Sequence, residues 1–154
     1  MKRPKPSLLR NALAGVWIIG GVALAFAVTP YLWRDSLPSP FWWCGVVAGS
    51  ALAVAIIATG AVSRMSLLGL LFIVLGFVTF LILIGLVIAP VGIVLYAVGI
   101  ARAGLVGRRT HRLFVLLLGV GAVTVFVAPA PIPGLVFALD ALVLGVGIAA
   151  TVRP

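Results

Sequence analysis

Residues 67–101 read LLGLLFIVLGFVTFLILIGLVIAPVGIVLYAVGIA, 35 consecutive positions without a charge. As one straight helix they would extend about 52 Å at ~1.5 Å per residue, against a hydrocarbon core of about 30 Å. One ordinary span does not fit. The turn signal inside the stretch is Ala89-Pro90-Val91-Gly92, where Pro suits position i+1 and Gly position i+3 of a type I turn. The expectation is therefore a helix over 67–88 and a shorter one over 91–107, which gains length by snorkelling of Arg102.

Charge placement tests this choice. If residues 67–101 cross twice, ten of the eleven basic residues share one side: Lys2, Arg3, Lys5, Arg10, Arg64, Arg102, Arg108, Arg109, Arg112 and Arg153. A single crossing gives five helices and leaves five basic residues inside and six outside. The excess of Lys and Arg in cytoplasmic loops favours the hairpin.

The remaining spans follow from punctuation. Residues 8–29 form a first apolar helix, with Ser7 as a candidate N-cap and Pro30 at its outer end. Its basic start and Ala25-Phe26-Ala27 also resemble a cleavable secretory signal. The apolar run is longer than the usual signal core, and it is read as retained. Tyr31, Trp33, Trp42 and Trp43 flank the next link, as aromatic rings do at a headgroup boundary. A second helix is expected over 41–62, a fifth over 113–128 and a sixth over 134–152. Pro129, Pro131 and Pro133 make a rigid turn between the last two, since three backbone donors are missing there. The expected architecture is an all-α integral membrane protein, a compact bundle of about six transmembrane helices forming one domain over 1–154. Neighbouring helices are antiparallel, joined by short loops, with both termini cytoplasmic in a multi-pass cell-membrane topology.

Composition agrees. The chain is 8% charged and 64% hydrophobic, with a mean hydropathy of +1.39, where soluble domains carry about a quarter charged residues. No folded domain outside the bilayer can be built from what is left. The pI near 11.7 invites a nucleic-acid reading, but the charges lie in short links between apolar spans rather than on one folded face. No nucleic-acid partner is expected. The chain contains no Glu, two acidic residues in all, one His and one Cys. Paired carboxylates, a nucleophile–base pair and a three-ligand metal centre all lack components. An enzyme, a cofactor and a metal site are not expected; Cys44 is read as a small buried or interfacial apolar residue, and His111, with no other His, Cys or Glu near it in sequence, is not read as a metal ligand.

Two patterns remain as candidate sites. Gly45, Gly49 and Ala53 on the second helix, and Ala141, Gly145 and Ala149 on the sixth, form small-residue faces. Such faces let helix backbones approach in lipid, within the chain, in a homo-oligomer or in a larger membrane complex. Asp140 is the ionisable residue deep inside a proposed span, which is costly unless it is neutral, paired or wet. Depth counting places Thr124, Thr79 and Ser50 near its level, so a protonated carboxyl bonded to a hydroxyl is expected. Arg102, Arg108, Arg109 and Arg112 are candidates for anionic lipid headgroups. The leading functional expectation is an accessory, assembly or scaffold component acting through helix contacts in the bilayer. The alternative is a small proton- or ion-coupled transporter or channel using Asp140.

Overall fold

The computed structural model describes residues 6–34, 36–79 and 84–152. Lys2, Arg3, Lys5, Asp35 and Arg153 lie outside the described residues. The described chain is helical without strands, in six α-helices: α1 (Pro6–Val28), α2 (Ser39–Gly60), α3 (Arg64–Val78), α4 (Gly85–Arg102), α5 (Arg108–Val127) and α6 (Pro131–Ala150). Four segments are long and apolar enough to cross a membrane, namely Ser7–Leu32, α2, α5 and α6. The helices α3 and α4 are shorter, 15 and 18 residues, or about 22 and 27 Å.

The uncharged stretch folds back on itself, but not where its turn signal lies. α3 ends at Val78 and α4 begins at Gly85, and Pro90 sits inside α4. The expected helices over 67–88 and 91–107 are corrected accordingly. Pro at the sixth position of α4 forfeits one backbone bond near an end that already has unsatisfied donors. Helix–helix contact outweighs that loss. A Cβ on Gly92 would stand 2.6 Å from the Ile73 nitrogen and one on Gly76 2.7 Å from the Ala89 nitrogen. A Cβ on Gly69 would overlap the Tyr96 nitrogen, and one on Gly99 the Ser66 nitrogen. Backbone lies directly on backbone along the pair. The register Ser66–Gly99, Gly69–Tyr96 and Gly76–Ala89 makes the two helices antiparallel.

Local signals explain the other boundaries. Ser63 caps α3, its hydroxyl accepting from the Ser66 amide at 3.1 Å and pairing with the Ser66 hydroxyl. That cap starts α3 at Arg64, three residues before the expected 67. Gly104, at φ 63, ends α4 in the left-handed conformation that glycine accepts freely. The link closes so quickly that α5 begins at Arg108 instead of 113, and the four arginine candidates lie at helix ends rather than in a long loop. Pro131 and Pro133 enter the first turn of α6, where a missing N–H removes nothing. The outer turn is only 128–130, and α6 starts three residues earlier than expected.

Every helix begins or ends at one basic end of the molecule. Leu9 and Arg10 share a pocket there with Val62, Ala103 and Leu105, the Thr151 hydroxyl donates to the Leu105 carbonyl at 3.3 Å, and Gly147 receives Thr110. At the opposite end Ala27 faces Gly45 and Val28 faces Gly134. There Trp33 is 83% exposed, and Trp42 and Trp43 meet edge to face. The main pairings run α5–α6, α6–α1, α1–α2 and α3–α4, with narrower contacts joining the hairpin to α2 and α5.

The core lies in the basic half. Leu13, Trp17, Ala55, Tyr96, Ile100, Phe114, Leu144 and Ile148 meet there, drawn from five helices and joined by Leu105 and Val106 of the link. Beyond it the surface is apolar: Phe77, Phe126 and Val127 are three-quarters exposed, and Leu71, Val87, Leu116 and Val123 are at least 60% exposed. Water-facing surfaces do not carry contiguous apolar area on this scale, and hydrocarbon is the solvent that suits it.

Candidate functional site

Three polar contacts tie the core together across helices. The Trp17 indole N–H donates to the Thr59 hydroxyl at 2.9 Å, and that hydroxyl donates to the Ala55 carbonyl at 2.6 Å. The Tyr96 hydroxyl donates to the Ile56 carbonyl at 3.2 Å. The His111 Nε2 meets the Ala97 carbonyl at 2.9 Å, which only a donating N–H can satisfy. In this way α1, α2, α4 and α5 are linked by side chains whose polar atoms water does not reach freely. Trp17, Thr59 and the role of His111 were not singled out from sequence. Depth counting does not pair the tryptophan with the threonine, since Trp17 lies eleven residues into α1 and Thr59 one residue from the end of α2.

Asp140 occupies the middle of α6, only 5% exposed, and its Oδ1 is buried without a hydrogen-bond partner. None of the three hydroxyls expected beside it reaches it. The Ser50 hydroxyl donates to Val46, that of Thr79 to Leu75 and that of Thr124 to Gly121. Each is satisfied by a carbonyl of its own helix, a local option that serine and threonine take readily. Matching depth does not produce contact. Asp140 lines none of the pockets described in this structure.

The two small-residue faces have opposite fates. On α6, a Cβ at Gly145 would lie 2.7 Å from Ile18 and 3.0 Å from the Ala14 carbonyl, Ala141 is buried, and Ala149 packs against the core. On the facing side, a Cβ at Gly21 would lie 2.9 Å from the Ala138 carbonyl. This face is spent on the α1–α6 contact. On α2, Gly49 and Ala53 are exposed, a Cβ at Gly49 would meet nothing, and one at Gly45 would only touch Ala27 at 3.8 Å. As an internal packing surface the Gly45–Gly49–Ala53 face is therefore corrected: it looks outward. It borders a groove of about 420 Å³ lined by Val16, Ile19, Val46, Val47, Ser50, Ala51 and Val54.

The arginines Arg102, Arg108, Arg109 and Arg112 are all exposed at the basic end. Arg102 reaches the Met65 sulfur at 3.3 Å, while Arg108 and Arg112 border a small pocket with His111. Arg109 stands apart on the α5–α6 side. No group of three or more His, Cys, Asp or Glu side chains that could hold a metal ion occurs among the described residues. Cys44 is half-buried and free. Comparison with known proteins returned no match: no family model, no curated protein and no solved structure is significantly similar to the chain.

Proposed function

We propose that this chain is an accessory or scaffold component of the cell membrane that acts by offering α2 to a transmembrane helix of a second copy or of a larger complex. The observation that carries the reading is the outward part of the Gly45–Gly49–Ala53 face: Gly49 and Ala53 are exposed, and a Cβ at Gly49 would meet no internal neighbour. In lipid such a surface gains from a second helix, because apolar side chains gain little by meeting one another there while closely approaching backbones gain dispersion. The equivalent stripe on α6 shows what the pattern does when it is occupied. In this reading the chain crosses six times with both termini cytoplasmic. The basic end lies in the cytoplasm by the positive-inside rule, and the aromatic end with Trp33, Trp42 and Trp43 faces out. The bilayer is its medium, and neither nucleic acid nor a cofactor has a role.

Gly49→Leu tests it. The side chain enters open space within one chain, so the melting temperature of the isolated protein should hold, while oligomers or co-purifying membrane partners seen by native gel and photobleaching in bilayers should be lost. Association that survives Gly49→Leu and Ala53→Leu alike would refute the reading.

One observation favours a second function. The orphan Oδ1 of Asp140 is costly in a packed interior, and a group kept at such a cost calls for an explanation. Proton or ion coupling supplies one. It requires that proteoliposomes show a proton-coupled flux that Asp140→Asn abolishes without lowering the melt, since an amide cannot exchange the carboxyl proton. Absence of flux in the native protein with common ions would remove this reading.

A further inference from the structure

At the basic end, α5 and α6 diverge around a groove of about 430 Å³, lined by Arg109, Thr110, Leu113, Leu142, Val143, Val146, Gly147 and Ala150. Its depth comes from small residues: Gly147 admits the Thr110 methyl so closely that a Cβ would overlap it, and Ala150 leaves the mouth low. From Leu142 to Ala150 the groove runs about 12 Å along α6 at ~1.5 Å per residue, most of the ~15 Å that one leaflet of a 30 Å hydrocarbon core provides. Its walls are apolar, and its one charged group, Arg109, lies at the membrane-surface end.

Among the described residues no carboxylate balances that guanidinium. Asp140, the only acidic side chain among the described residues, is buried two helical turns deeper than Val146 and Gly147 and makes no salt bridge. An apolar trough of one-leaflet length, closed at the interface by a lone exposed cation, has the complementarity of an anionic amphiphile. We infer that this groove binds an anionic phospholipid of the adjoining leaflet, its phosphate on Arg109 and one acyl chain along Leu113, Val143 and Val146. Arg102, Arg108 and Arg112 take no part in this site, because Arg102 turns to Met65 and Arg108 and Arg112 face the His111 side.

Native mass spectrometry of the whole chain, exchanged into detergent with phosphatidylglycerol or phosphatidylcholine, tests the site. Phosphatidylglycerol should be retained in preference to phosphatidylcholine. Arg109→Gln should lower its retention about fivefold, the ratio that corresponds to about 1 kcal/mol for one basic residue at an anionic surface. Arg109→Lys should restore most of that loss, and Arg112→Gln should leave retention unchanged. Val146→Trp should block retention with Arg109 intact, by filling the trough. Equal losses for Arg109→Gln and Arg112→Gln would mean a diffuse basic surface and overturn the assignment, as would equal retention of the neutral lipid. Arg109 is exposed, so its variants fold and decide the matter even if Val146→Trp does not.

Discussion

Adding one methyl group to glycine should have opposite signs at two positions of this bundle. At Gly92 the new Cβ would stand 2.6 Å from the Ile73 nitrogen and 2.8 Å from the Gly69 oxygen, about 0.8 Å inside an ordinary contact. Both neighbours are helix backbone and cannot rotate away, so α3 and α4 must separate. A gap of about 0.5–1 Å forfeits a quarter to a half of the dispersion well for each atom pair it opens, and overpacking a tight core costs about 1–3 kcal/mol. Alanine returns about 0.8–1.0 kcal/mol of helix propensity. The net expectation for Gly92→Ala is a loss of up to about 2 kcal/mol. At Gly49 nothing stands within 4 Å of the new atom, so only the propensity gain remains, about 0.8–1.0 kcal/mol. The two variants should therefore differ by about 1–3 kcal/mol, the overpacking cost alone, read as unfolding free energies by steric trapping of monomers in mixed micelles. A Gly92→Ala protein as stable as the Gly49→Ala protein would refute the backbone-contact account of the hairpin, and a Gly49→Ala monomer that is destabilised would refute the outward placement of that face.

Thr59→Val should leave the Trp17 indole N–H without its acceptor and destabilise by about 1–2 kcal/mol, within the range for a buried donor left unpaired; Trp17→Phe/Thr59→Val should recover part of that loss in a double-mutant cycle. Asp140→Leu should melt no lower than the native chain, and about 1–3 kcal/mol more stably if the full desolvation cost of the orphan oxygen is relieved; a marked drop would show that the carboxyl has a partner. Under the proposed orientation, a membrane-impermeant maleimide added outside cells should label Trp33→Cys and not Arg108→Cys in a Cys44→Ser background; labelling of Arg108→Cys would reverse the orientation.

The all-helical, apolar character of the chain and the antiparallel course of the hairpin were legible because they rest on a long-range regularity, the apolar run length. The place where α3 gives way to α4 was not, because the local signal at Ala89–Gly92 pointed elsewhere and the contact that overrode it is tertiary. A non-local cue was present: Gly69 and Gly76 on one side and Gly92 and Gly99 on the other mirror each other about residue 84, which places the fold-back between them rather than at Pro90. The two small-residue stripes could not be told apart, since α2 and α6 are apolar nearly all round and carry no amphipathic signal for which face turns inward. Depth along a helix likewise says nothing of azimuth, so Ser50, Thr79 and Thr124 matched Asp140 in height and still bonded to their own carbonyls. The same limit bears on the two functional readings. A small-residue face advertises a contact by its chemistry but reveals whether that contact is already filled only through the packing around it. On α6 it is filled by α1, and on α2 the described residues leave Gly49 open, which is why the proposed role sets that face against another molecule.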